Sequence, residues 1–285
     1  MATKKINFPL VFTQVADNVM FYSTFAAFFY FMSNENFTPL KAYISFNTLM
    51  IVVNLHDLLY RKLFPNVLAK VKTETPYTWM DLYHVVRVMS IVYGLAMVVL
   101  AYCGVLHFEY KGFLQTTIKV MFEYWVISFC KDFTTMKFIH PLLHTPKYYY
   151  LHELHHSVSK NLHIGNALHI DIIDVLIEHL VGIVFAIGLN YVLYGTPSVH
   201  MASFLYIMWT DIVNHSLNPY SASYANPVLD YLMKPCIEHN LHHVLQTEYY
   251  MFNSFEHLLT KGRLAKDLSK YNQIFDTKIS YDLYI

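Results

Sequence analysis

The chemistry-bearing residues of this chain are its histidines. There are 17, and eight of them fall into three tight groups. His140-Pro-Leu-Leu-His144 is an H-x-x-x-H element, whose two rings stand one turn apart on one face if the segment is helical. His152-Glu-Leu-His155-His156 reads H-x-x-H-H, with i, i+3 and i+4 projecting to one side, and His239-Asn-Leu-His242-His243 repeats that pattern much later. Neutral imidazole is a good ligand for iron, zinc, copper and nickel. A structural zinc takes about four ligands and a catalytic one about three. Eight imidazoles are therefore too many for one ion and suit two. The three cysteines, Cys103, Cys130 and Cys236, form no metal or redox motif and read as inert, so the expected site is rich in nitrogen.

A ninth histidine joins the set. Asp211-Ile-Val-Asn-His215 closes an apolar block, and Asp211 and His215 stand one turn apart, where both could face one ion. Asp211 and Asn214 read either as metal-facing groups or as polar caps of that helix end. A single H-x-x-x-H arises often by chance on a helix; two copies of H-x-x-H-H beside it do not. Two rival readings use the same residues. His152-Glu-Leu-His-His156 also satisfies H-E-x-x-H, the zinc protease motif, with Glu153 as general base and Asp230 offered as a third ligand. That reading leaves His140, His144, His155, His215 and the 239–243 group without a role. The other rival is a non-catalytic metal-binding membrane protein, such as a transporter, whose ligands belong near the bilayer midplane.

The elements that must hold these residues are apolar helices. Hydrophobic residues make up 55% of the 285 and charged residues 14%, well below the roughly 25% charged of soluble domains. With eight Gly and ten Pro, the composition reads as an all-α, polytopic membrane bundle forming one domain over residues 1–285. Four spans are expected: Asn18–Met32, extending back towards Val11, then Tyr43–Tyr60, Val88–Leu106 and Phe113–Cys130. Lys119 and Glu123 are expected to pair within the last. Apolar blocks at Ile172–Tyr194 and Val199–Val213, parted by Gly195-Thr-Pro197, read as a further or re-entrant hairpin. Asp174, Glu178 and His179, at the start of that hairpin, either face a cavity or protrude into water. Lys4, Lys5, Arg61, Lys62, Lys70 and Lys72 place the N-terminus and the 61–80 loop in the cytosol, and with four spans the histidine-rich cap as well. Met1–Leu10 carries no signal-peptide cleavage pattern. Zero formal net charge recommends no nucleic-acid partner.

In order and spacing, these motifs resemble the fatty acid hydroxylase / sterol desaturase superfamily. The likeness covers residues 132–261: His140–His144, a spacer with tyrosines (Thr145–Leu151), His152–His156, the 172–213 apolar pair, Asn214-His215-Ser216, and His239–His243. The resemblance implies a dimetal centre, usually diiron though zinc is also found on isolation, with the eight clustered histidines and His215 as ligands. It implies O2-dependent hydroxylation or desaturation of a membrane lipid, a sterol or fatty-acyl lipid, in the endoplasmic reticulum. Electrons would come from a separate donor such as cytochrome b5 and its reductase. His169 sits where some members of the family have a histidine and others do not, Glu178 resembles a recurring acidic position, and both are candidates, with Asp211 and Asn214, for groups behind the ligands. The chain departs from the pattern at Pro141, at Leu217 and at Phe255–Thr260, none of which removes a ligand.

Overall fold

The structure, a computed structural model, describes residues 8–33, 36–63, 80, 83, 86–157, 164–215, 237–246 and 263–276. Helices α1 (Phe8–Ser33) and α2 (Pro39–Leu63) are followed by α3, which begins as π-helical Val88–Tyr93 and continues as Gly94–Tyr102. A two-residue strand, β1 (Leu106–His107), precedes α4 (Phe113–Lys131). That helix runs on through π-helical Asp132–Ile139 into one turn, His140–Leu143. A 3-10 turn at Tyr149–Leu151 leads to the single-turn helix α5 (Glu153–His156), and another follows at Ile164–Leu168. Helix α6 comprises Ile172–Val175, π-helical Leu176–Leu180 and Val181–Tyr194. Strand β2 (Val199–His200), α7 (Met201–Val213), α8 (Ile237–Leu245) and α9 (Arg263–Phe275) complete the described chain.

Helix α7 is the axis of the bundle. Every residue of it except Asp211 is buried, and the helix packs on α2, α4 and the Ile164–Leu168 turn. A helix apolar all round is stable only where neighbours cover every side. The α6–α7 hairpin expected from the sequence is present. Gly195 sits at φ +73°, a conformation that costs a residue with a side chain more than glycine, and its N–H closes α6 on the Tyr191 carbonyl at 2.8 Å. Beyond the turn, Val199–His200 pairs in parallel with Leu106–His107.

The helices confirm the all-α architecture but not four spans. Among the described residues, two stretches are long and apolar enough to cross a membrane, Pro39–Leu59 in α2 and Ile172–Tyr194, the whole of α6. Helix α3 is too short, because Gly104 at φ +72° turns the chain into β1. Helices α1 and α4 carry Gln14, Asp17 and Asn18, and Gln115, Lys119 and Glu123, which lower their apolarity. The Lys119–Glu123 pairing also fails. Lys119 reaches Glu109 (3.6 Å) and His107 (3.4 Å), while Glu123 accepts from the His200 backbone N–H (2.8 Å) and the Ser203 hydroxyl (2.9 Å). The strand bridge brings those better partners to both side chains. Much of the basic 61–80 loop lies outside the described residues, as do Asp230, Ser216, Leu217 and the 255–260 stretch.

Candidate metal centre

Three π-helical segments deliver residues to one place. Lys131, Met136 and His140 all line one cavity, although on an α-helix Lys131 and His140, nine residues apart, would lie about half a turn out of phase. The wider π winding from Asp132 to Ile139 brings them back onto one face. Pro141 follows directly and has no N–H to offer the preceding turn, which suits an irregular helix at that point. Tyr93 closes the π segment of α3, and Glu178 lies in that of α6; both line the same cavity. Asp171 starts α6 as its N-cap, accepting the Ile173 N–H at 2.9 Å.

All nine sequence-predicted histidines converge, and they sort into two adjacent sets. His140, His144, His152, His156 and His242 bring five ring nitrogens within 4.8 Å of one another, and His155, His215, His239 and His243 bring four. The two H-x-x-H-H elements do not project to one side as expected. In each, the i and i+4 rings join one set and the i+3 ring joins the other. His152 and His156 lie in the five-histidine set with His155 in the four; His239 and His243 lie in the four with His242 in the five. Helical winding explains the split: i and i+4 differ by about 40° around the axis, whereas i+3 stands about 100° from i+4. The sets touch where His156 and His243 lie 4.6 Å apart, centroid to centroid.

The nitrogens point at each other. The His140 and His242 Nε2 atoms are 2.8 Å apart, His215 and His239 2.7 Å, His239 and His243 3.0 Å, and His155 and His215 3.4 Å. Outer nitrogens are tied back to oxygen. His140 Nδ1 lies 2.8 Å from Glu178 Oε1, His152 Nδ1 2.7 Å from Asp174 Oδ2, and His215 Nδ1 2.9 Å from the Asp211 carbonyl. The His152 and His215 hydrogen bonds put the ring proton on Nδ1 and turn the Nε2 lone pair inward, the arrangement that orients and strengthens a metal-binding imidazole.

Several ring nitrogens are left without a hydrogen bond among the described residues: both of His156, Nε2 of His152, and Nδ1 of His155 and His243. Buried polar atoms are almost always paired. Lone pairs aimed at lone pairs call for a cation between them, and the separations are close to the roughly 3–3.4 Å expected between nitrogens sharing an ion at about 2.1 Å. The donor set fits two transition-metal ions. Asp174, Glu178 and His152 form a third potential ligand trio. It would use the His152 nitrogen opposite to the one facing the other histidines, so the two carboxylates act here as acceptors behind the ligands.

Burial holds these imidazoles neutral. His144 is pushed down to about 4 and His152 to about 3, and His155, His156, His239 and His243 lie well below the usual 6.5, in each case chiefly through desolvation. Near pH 7 all six are ready to bind metal. The metal-free chain has a further property. Above 6.5 the rings are neutral in both folded and unfolded chains. Below it the unfolded chain takes up protons that the folded chain refuses, so stability falls as the pH drops from 6.5 towards 4. Thermal melts of the metal-free protein will decline steadily as the pH falls through that window; a melting temperature unchanged between pH 6.5 and 4 would contradict the burial of neutral imidazoles.

The remaining predicted residues are placed as follows. Glu178 Oε1 lies 2.8 Å from Nδ1 of His140. Asp174, which the sequence left between a cavity and water, is fully buried against His152; its spacing of four from Glu178 in an apolar run was the available signal. The His179 side chain is outside the described residues. The Asp211 carboxylate does not face an ion, because Lys131 takes it. Asn214 is the C-cap of α7 and half-buried at the cavity wall. His169 is buried beyond the Ile164–Leu168 turn and belongs to none of the ligand sets. Lys131 and Tyr93 had no sequence signal. No family model, curated protein or solved structure matches the chain.

Proposed function

We propose that the chain is an integral-membrane, O2-dependent oxidoreductase of the fatty acid hydroxylase / sterol desaturase kind, acting on a sterol or fatty-acyl lipid. The observation that carries this reading is the partition of nine histidines into adjacent sets of five and four. Two bound ions, iron in this proposal, would supply the activation of dioxygen and the removal of hydrogen from an unactivated C–H bond.

The protein's own part follows from its side chains. His140, His144, His152, His156 and His242 would hold one ion, and His155, His215, His239 and His243 the other. Asp174, Glu178 and the Asp211 carbonyl fix the ring orientations. Beside both sets lies a cavity with about 30 Å³ open to a water-sized molecule, room for one or two such molecules at roughly 10–15 Å³ each. Met136, Leu168, Ile170, Met208 and Ile212 form its apolar walls and limit entry of water. A lipid supply is favoured by the outward faces of the helices: Ile173, Leu176, Leu180, Val184 and Val192 on α6, and Leu114, Ile118, Phe122 and Phe129 on α4, are exposed. Apolar surface on that scale is covered by lipid or protein. The centre lies by the N-terminal end of α6, on the side we assign to the cytosol of the endoplasmic reticulum, where a separate electron donor such as cytochrome b5 and its reductase would reach it.

The protease reading is weakened by Glu153, which is exposed while the three histidines around it are buried; a general base must face the metal-bound water. Lipid profiling of a host with and without the chain tests the proposal. One lipid class gains a hydroxyl group or a double bond, and the change disappears with His155→Ala and with His242→Ala. Unchanged lipids alongside full metal loading would transfer the assignment to a non-catalytic metal-binding protein.

A further inference from the structure

The Lys131–Asp211 pair lines a cavity that both histidine sets border. Lys131 ends the regular part of α4, and the π segment after it leads directly to His140 of the five-histidine set. Asp211 lies on the last turn of α7, and its carbonyl accepts the Nδ1 proton of His215 of the four-histidine set. The Lys131 ammonium holds the Asp211 carboxylate, and both side chains are largely buried, 10% and 13% exposed. Together they line the cavity that also touches His140, His155, His215 and His239. The sequence alone would let Asp211 bind metal, since it is one turn from His215. The lysine diverts it.

A carboxylate in such a place has two candidate cations, the ammonium and an ion in the four-histidine set. Removing one partner of a buried ion pair leaves a charge that must find another counter-charge. We propose that Lys131 is a positioning residue which keeps the Asp211 carboxylate off the four-histidine ion, so that this ion retains a coordination position facing the cavity. The inference rests on the two-ion reading above and deepens it: it assigns the open position to the four-histidine ion and names the residue that keeps it open. Without Lys131, Asp211 turns to the ion and fills the position from which a small molecule in the cavity would be bound.

The test uses the full-length chain in detergent, reconstituted with ferrous iron in the absence of air, with nitric oxide as a neutral, dioxygen-sized probe followed by electron paramagnetic resonance. Neutrality matters, because an anionic probe would respond to the lost lysine charge itself. The wild type and Lys131→Arg, both holding two irons, give the nitrosyl signal. Lys131→Met keeps two irons and binds nitric oxide about tenfold or more weakly, the scale on which groups behind metal ligands act. Adding Asp211→Asn to Lys131→Met restores the signal, which a merely structural role for the pair would not do, since both cavity-lining charges are then missing. Lys131→Gln is measured beside Lys131→Met and carries the same expectation should methionine disturb the fold. Nitric oxide binding by the single variants equal to wild type, or absence of rescue in the double variant, overturns the proposal. A wild-type chain that takes up fewer than two irons would instead overturn the two-ion reading on which it rests.

Discussion

A chain carrying both His239→Ala and His243→Ala will bind one metal ion where the wild type binds two. The two rings lie one turn apart on α8, 4.5 Å between centroids, and both belong to the four-histidine set. Their removal leaves His155 and His215, fewer than the roughly three protein ligands that hold a catalytic ion. The five-histidine set keeps all its members, because His242 turns to the other side of the same helix. The double variant therefore separates a centre of two ions from one large pool of histidines. In a pool, the loss of two among nine would weaken all binding slightly. Elemental analysis of protein that keeps its helical circular dichroism decides the matter: one ion per chain is expected, and two would contradict the partition.

The second large effect is expected from the carboxylates behind the ligands. Asp174→Asn and Glu178→Gln preserve shape and replace the carboxyl oxygens that hydrogen-bond Nδ1 of His152 and lie beside Nδ1 of His140. An amide can present its N–H₂ to Nδ1 and so permit the tautomer whose Nε2 proton points at the ion. Substitutions of this kind cost about 10–100-fold in metal affinity. The loss is predicted for the five-histidine ion alone, read by competition with a chelator, while the other ion stays bound as before. The experiment also separates the carboxylates' assigned role from the trio they form with His152. Were that trio a metal site of its own, the number of ions would fall instead, with the affinity of those remaining unchanged.

How far these features could be read from the chain depends on the distance over which their causes act. The candidate ligands were legible because an i, i+4 pair of histidines and two i, i+3, i+4 trios are local patterns. His215 was legible for the same reason, one turn from Asp211 at the end of an apolar block. The division into sets was implicit in helical winding, yet which rings meet which depends on how α5 and α8 face each other, a tertiary fact. Asp174 looked ambiguous because a carboxylate in an apolar run has the same sequence signature whether it faces a cavity or water. Asp211 was left open between metal and helix cap for a related reason: its partner Lys131 is 80 residues away. The π segments leave no recognisable pattern in the sequence, although they set the phase between Lys131 and His140. Of the four expected spans, α2 alone is long and apolar enough to cross a membrane among the described residues, while α1, α3 and α4 are not. Apolarity alone does not tell a helix that crosses lipid from one, like α7, that its neighbours enclose.

The central claim is a centre of two ions held by histidine nitrogen. The most direct measurement is the metal content of the purified full-length chain, paired with X-ray absorption at the edge of the metal found. Two ions of a transition metal per chain, in a first shell dominated by imidazole, is the predicted result. A single ion per chain, or a shell dominated by oxygen or sulfur, would contradict it.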